Sequence, residues 1–262
     1  MTFTIDFGFA NSSASWTDAY LALLFACRGD PSDVGHASGP MAIADASRFV
    51  ELFEMQVGLS PLDIGTYAEA VGGENPVDQA VARASEARAR GMFPVIIGED
   101  RRVTEGACQD PLVAFWGKVG RIEADENSLL GRQRSLLGGV RAATANAFQA
   151  IPGEVTILTA STLSQQPQIL EEALERFEDP VHLSIDLDVL APAVTHSSRS
   201  LEPGGLGWYD LMNAIERVFD GPGVAAADLV GTAPISPRTP AALLGSQVLL
   251  RLAGLLAKGL GE

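Results

Sequence analysis

From residue 76 to residue 260 the chain alternates between helix-like and strand-like patterns, and that alternation limits it to few folds. Pro76 to Arg90 repeats apolar residues at Val77, Ala80, Val81, Ala84 and Ala87, the spacing of one helix face. Pro76 suits a first helical turn and Gly91 a C-terminal cap. Phe93 to Ile97 then runs apolar without a break, as a strand buried on both faces does. The same pair recurs as Gln168 to Phe177 before Val181 to Leu190, and as Tyr209 to Phe219 before Val224 to Val230; a closing helix is expected over Ala241 to Leu260. Helices and strands in turn imply an α/β fold, a mostly parallel, doubly wound sheet with helices on both faces in three α/β/α layers. Nearer the N-terminus, Ala19 to Ala26 is expected to be helical, Asp30 to Pro40 a loop, and Leu62 to Gly65 the end of a strand.

With 262 residues, 47% of them hydrophobic, the chain can bury a large core as one α/β domain over 1–262. A net charge of −15 argues against a nucleic-acid groove or an anionic membrane surface as partner and favours a small cationic ligand. Cys27 and Cys108 are too few for a disulfide framework and lack metal-type spacing, so they read as buried thiols in a reducing cytoplasm. The first ten residues carry Asp6 and no basic stretch, and the apolar C-terminal stretch is interrupted by Gln247, Arg251 and Lys258; neither reads as an export signal or a membrane span.

In parallel sheets chemistry gathers at the carboxyl ends of the strands, where Gly98 to Arg102, Asp186, Asp188 and Gly231 fall. No glycine-rich nucleotide loop follows any strand. Asp186 and Asp188, two apart, are expected on one strand face about 6 to 7 Å from each other. Two buried anions that close need a cation between them, either a metal ion or an arginine.

Several segments, taken in order, resemble the ureohydrolases, the family of arginase, agmatinase and formiminoglutamase. Gly35-His-Ala-Ser-Gly39-Pro40-Met-Ala-Ile43-Ala-Asp-Ala-Ser47 resembles that family's loop-helix signature, and Leu62-Asp63-Ile64-Gly65 its D-L-G-D segment. Ser184-Ile-Asp186-Leu-Asp188, followed by Leu201-Glu202-Pro203-Gly204-Gly205-Leu206, resembles its S-x-D-x-D and P-E-P-G-G-L pair. Asp228-Leu-Val-Gly231-Thr-Ala-Pro234 resembles D-x-V-E-x-x-P. The resemblance implies an arginase-like sheet and attack of a metal-bridging hydroxide on a guanidinium carbon, with two manganese ions held by carboxylates and imidazoles.

Residue by residue, that site is depleted. At the histidine of G-G-D-H-S stands Arg101, permanently charged and without a lone pair for a metal. The D-A-H-x-D ligands have two registers. If Gly117 to Gly120 precedes the ligand strand, they are Asp125, Asn127 and Leu129; if Leu112 to Trp116 is the strand, they are Gly117, Val119 and Arg121. Spacing from Gly98 favours the first. Ala191 stands at a further Asp position, Gly231 at the substrate-binding Glu and Gly138 at the histidine credited with proton transfer.

In the first register one metal position would see Arg101, Asp125, Leu129 and Asp186, and the other Asp125, Asn127, Asp186 and Asp188, an oxygen set suited to one Mn, Mg or Ca ion. Otherwise Arg101 takes the place of the lost metal, pairing with Asp125 or Asp186, and no cofactor is held. His182 is expected to be a satisfied core histidine, His196 a surface one, and His36 has no identified partner; Glu202 is expected to hold its loop, and Gly204 and Gly205 to make the turn after it. The expected function is a ureohydrolase-fold pseudoenzyme with a regulatory, partner-subunit or ligand-binding role, as a trimer or hexamer or beside an active homologue. The alternative is a hydrolase of linear amidines or guanidines, cutting a C–N bond at a one-metal or metal-free site with Asp125, Asp186 or Asp188 as base.

Overall fold

The computed structural model describes residues 2–4, 14–28, 38–51, 55, 58, 64–120, 128–152, 154–195, 202–232 and 239–260. In the first part of the chain the elements are β1 (Thr2–Thr4), β2 (Leu21–Arg28), α1 (Gly39–Ala46), β3 (Thr66–Gly73), α2 (Pro76–Ala89), β4 (Phe93–Ile97) and α3 (Arg102–Ala107). Next come β5 (Leu112–Phe115), β6 (Lys118–Val119), α4 (Leu129–Arg132), β7 (Ser135–Val140), β8 (Ala142–Ala143), α5 (Ala145–Ala150), β9 (Val155–Thr159), α6 (Ala160–Gln165) and α7 (Ile169–Leu174). Last are β10 (Val181–Asp186), α8 (Pro192–Thr195), α9 (Trp208–Asp220), β11 (Val224–Val230) and α10 (Pro240–Leu260). They form two compact units, residues 1–107 with 229–262, and residues 108–228.

In the first unit β2 lies between β3 and β4, parallel to both, and β1 adds an antiparallel edge to β3. The helix expected over Ala19 to Ala26 is instead β2. Its run Leu21-Ala-Leu-Leu-Phe-Ala-Cys is apolar at every position because a central strand is covered on both faces, and such a run carries no period to tell strand from helix. Of the strand end expected at Leu62 to Gly65, Leu62 and Asp63 lie outside the described residues, while Gly65 instead precedes β3, its carbonyl accepting from Tyr20 N and Leu21 N.

α2 follows its sequence pattern, burying Ala80, Ala84 and Ala87, with Pro76 in its first turn and Gly91 just past its end at φ +80°. On its outer side Arg83 grips the buried Glu69 carboxylate with Nε at 2.6 Å and Nη2 at 3.0 Å. The Glu69 carboxylate also takes the Tyr67 hydroxyl at 2.8 Å, and the guanidinium lies 3.7 Å over the Trp16 ring. α1 opens on Ser38, whose Oγ caps Met41 N; a side chain at Gly39 would strike the Thr232 carbonyl. Thr232 in turn donates to Gly98 O at 2.7 Å, tying the loop after β11 to the end of β4. α10 is long and apolar enough to cross a membrane, yet most of it is buried within the protein, as in a core helix.

In the second unit β5 pairs in parallel with β10 on one side and β7 on the other, and β9 continues the sheet beyond β7. β6 and β8 form a separate two-stranded ladder just past the carboxyl ends of β5 and β7. The core beneath them gathers Leu112, Ala114, Trp116, Val119, Leu129, Leu130 and Leu137. Each fully buried leucine there contributes about 1.5–3 kcal/mol over leaving it in water.

Cys27 in the first unit and Cys108 in the second are free thiols, and burial pushes each from 9.0 up to about 12. The neighbouring Glu99 carboxylate adds to the rise at Cys27 and Asp228 to that at Cys108. Unfolded thiols ionise nearer 9, so these two groups stabilise the fold fully below about pH 9 and lose that contribution as pH climbs towards 12. At pH 8 iodoacetamide should therefore label both cysteines in urea and neither in the native protein; native labelling at the free-thiol rate would contradict the assignment.

Candidate functional site

The strand expected from Val181 to Leu190 stops at Asp186, and a tight 3-10 turn, Leu187–Val189, carries the chain on. Asp186 and Asp188 therefore do not alternate along one strand, as expected from their spacing. The Asp186 carboxylate instead caps the turn, Oδ1 accepting Asp188 N at 2.9 Å, and it is only 6% exposed. The Asp188 side chain turns towards Arg141, which follows β7.

Arg141 supplies the cation at Asp188. Its Nη2 donates to Asp188 Oδ1 at 3.2 Å, its Nη1 to the Asp188 carbonyl, and its Nε to the Glu202 carbonyl at 3.4 Å. With the Arg141 side chain 6% exposed and that of Asp188 24%, the pair is shielded from most of the solvent. The approach depends on Gly117, where a Cβ would collide with the Arg141 guanidinium and the Asp188 carbonyl. Lys118, the next residue, ion-pairs at 3.3 Å with Glu202. Glu202 thus holds its loop through both its carbonyl and its carboxylate, and Gly205 at φ +104° lets that loop pass against Ala191.

Beneath the turn runs a buried polar chain. Trp116 Nε1 donates to Ser184 Oγ at 3.0 Å, Ser184 Oγ donates to Asp228 Oδ1 at 2.8 Å, and Asp228 Oδ2 meets His182 Nε2 at 2.7 Å. All four residues are at most 1% exposed. His182 is a core histidine, as expected, but among the described residues only one of its ring nitrogens is satisfied. Its Nδ1 has no partner among the described residues, which favours the tautomer with the proton on Nε2, donating to Asp228.

The arginase-family model matches residues 117–254, more than half of the chain. The chain belongs to the arginase family. It is 25% identical over 234 residues to N(1)-aminopropylagmatine ureohydrolase of Synechocystis sp., covering 77% of this chain and 76% of that protein. It is 26% identical over 208 residues to agmatinase of Bacillus anthracis, covering 78% of this chain and 69% of that protein. The crystal structure of agmatine ureohydrolase of Thermoplasma volcanium superposes with a TM-score of 0.78 at 17% identity, over 99% of this chain and 97% of that one. The α/β/α fold with a mostly parallel sheet is therefore arginase-like.

Within the arginase family the two registers for the D-A-H-x-D ligands differ in which strand neighbours β10. That neighbour is β5, with Val113 opposite Leu183 and Phe115 opposite Ile185. The strand preferred from spacing, starting after Gly120, lies outside the described residues; just before it, Lys118–Val119 pairs with β8. Asp125 and Asn127 lie outside the described residues, and Leu129 starts α4 in the apolar cluster. Directly after β5 come Trp116 in the core, Gly117 under Arg141, Lys118 on Glu202 and Val119 buried.

The remaining expected positions also carry packing. Gly138 sits in β7 where a Cβ would press on the Phe115 ring at 2.8 Å. Ala191 N donates to Leu206 O at 2.9 Å, and Gly231 takes φ +74°. Arg101 stands half-buried in the turn before α3, in the other unit from Asp186, and its carbonyl accepts Glu105 N at 3.0 Å. Arg102 beside it holds Asp100 with two bonds of 2.8 Å. Among the described residues the cation seen at Asp188 is Arg141, which sequence reasoning passed over. The signal was available, since Arg141 follows a strand-like run just as Arg101 does. His36 and His196 lie outside the described residues.

Manganese, the metal the family resemblance implies, does not fit the described side chains. Among them no three His, Cys, Asp or Glu groups converge as ligands. The nearest cations to Asp188 and Glu202 are guanidinium and ammonium groups, which offer a metal no lone pair.

Proposed function

We propose that this arginase-family chain has lost binuclear, manganese-dependent hydrolysis of guanidino substrates and acts as a ligand-binding, regulatory or partner subunit. One observation carries the reading: the strand beside β10 runs into Trp116-Gly117-Lys118-Val119, where lone-pair donors would be needed. Metal affinity at such sites depends on the full ligand count and on deprotonated donors, so replacing several of them removes the site rather than weakening it. Gly117 cannot regain a ligand by simple substitution, because Arg141 and the Asp188 carbonyl fill the space.

The test is metal content and turnover together. After manganese loading and desalting, fewer than two ions per chain are expected, with one Mn, Mg or Ca ion as the most the remnant would hold. Hydrolysis of arginine, agmatine, guanidinobutyrate and formiminoglutamate should not exceed the no-enzyme control, with or without manganese. Turnover of about 1 s⁻¹ or more, an ordinary enzyme rate, on any of them would overturn the reading.

A second reading is supported by the relatives' names. The Synechocystis and Bacillus anthracis proteins are named as hydrolases of agmatine-type compounds at 25% and 26% identity. On that reading the chain cuts a C–N bond of an amidine or guanidine at an altered one-metal or metal-free site, with Asp125, Asp186 or Asp188 as base. The same assay separates the two. The proposal also takes the chain as one domain in a reducing cytoplasm, assembling as a trimer or hexamer or beside an active homologue.

A further inference from the structure

Two positions in the second unit that match ligand positions of the arginase family are aimed at one group. Gly117 stands at the first of the D-A-H-x-D ligand positions when Leu112–Phe115 is the ligand strand, and a side chain there would run into the Arg141 guanidinium. Asp188 stands at the second aspartate of S-x-D-x-D, and its Oδ1 accepts from Nη2 of the same guanidinium at 3.2 Å. The two positions follow different strands, β5 and β10, and the directions taken from them meet at the Arg141 head group. A cation shared between those positions would stand there.

The guanidinium is also held as an ion would be. Its three nitrogens donate to three oxygens, the Asp188 carboxylate, the Asp188 carbonyl and the Glu202 carbonyl. Carboxylate and carbonyl oxygens are the groups with which proteins hold hard cations. With the Arg141 side chain 6% exposed and that of Asp188 24%, removing either charge would leave the other poorly hydrated. A cation arriving from solution would have to displace the guanidinium from these oxygens, and the guanidinium is tied to the chain just after β7. Gly117 and Arg141 are thus one device: the missing side chain at 117 makes the room that the guanidinium fills.

We propose that Arg141 is an internal substitute for the family's metal, supplying the charge that Asp188 needs and closing that point to cations from solution. The substitution rests on the loss of manganese chemistry proposed above and sharpens it, because Asp188 then holds no ion at all. A ligand-binding role falls to another part of the chain.

Arg141→Ala leaves only the Cβ of the side chain, and ethylguanidinium is the piece removed. Thermal unfolding of the full chain with and without millimolar ethylguanidinium tests the substitution. The variant should melt below the parent and regain about 3–6 °C, the shift that a ligand at roughly ten times its Kd gives a chain of this size. The parent should gain nothing, and uncharged ethylurea should not rescue the variant. Arg141→Ala combined with Asp188→Asn should not respond to ethylguanidinium either. Absence of rescue overturns the proposal, as does equal rescue by ethylurea or in the double variant. If Arg141→Ala does not fold, the parent decides. Its melting temperature should stay within about 1 °C on adding manganese, and a rise of about 3 °C or more that Asp188→Asn abolishes overturns the substitution. Stabilisation by manganese without turnover overturns the substitution alone, whereas turnover that needs no metal overturns the proposed function and leaves the substitution standing.

Discussion

Asp228→Ala should cost the fold roughly 2–5 kcal/mol, because it leaves two buried donors unmatched at about 1–3 kcal/mol each. The carboxylate is fully buried and serves two buried partners at once, His182 Nε2 at 2.7 Å and Ser184 Oγ at 2.8 Å. Alanine leaves both without that partner in the core, and neither can reach water without opening the sheet. Ser184 keeps the Trp116 indole, which donates to it, but loses the Asp228 carboxylate as acceptor for its own proton. Asp228→Asn, of nearly the same shape, still accepts from Ser184 and should cost roughly 1–2 kcal/mol. Urea unfolding followed by tryptophan fluorescence measures both. If the alanine variant unfolds within about 1 kcal/mol of the parent, the polar chain does not organise the core in the way described.

Arg141→Met is the second large effect, about 3 kcal/mol, because it leaves the mostly shielded Asp188 carboxylate without its counter-charge. Methionine retains much of the volume and none of the donors, so the Asp188 carboxylate, the Asp188 carbonyl and the Glu202 carbonyl lose their shared partner. Arg141→Lys keeps the charge but loses the planar fork that reaches several acceptors together, and should recover only part of the loss. A double-mutant cycle with Asp188→Asn isolates the pair: a coupling of at least about 1 kcal/mol is expected, and additivity would show that Arg141 acts through packing alone.

The elements legible in the sequence were those with a clear period or a clear boundary. α2 announced itself through Ala80, Ala84 and Ala87 between a proline and a glycine. β4, β11 and α10 also lie where apolar runs and helical spacing placed them. β2 did not, because burial on both faces erases the alternation that would distinguish a strand. The Asp186–Asp188 pair was visible, but its geometry was not. A strand two residues longer would have set both carboxylates on one face, whereas the turn at Leu187 converts the first into a cap for the second.

The residues after β5 show the limit most plainly. Leu112 to Trp116 and the stretch after Gly120 are both plausible strands on composition, and local pattern cannot choose between them. Pairing shows the first of them beside β10, with Val113 opposite Leu183, while the stretch after Gly120 lies outside the described residues. Arg141 lies 47 positions before the aspartate it grips, and a glycine at 117 makes room for it. By itself the sequence determined the α/β class and the arginase-family resemblance, because these depend on residue type and periodicity along the chain. Only the tertiary structure decided which strand neighbours β10 and which cation answers Asp188, because both depend on contacts between segments that sequence spacing does not encode.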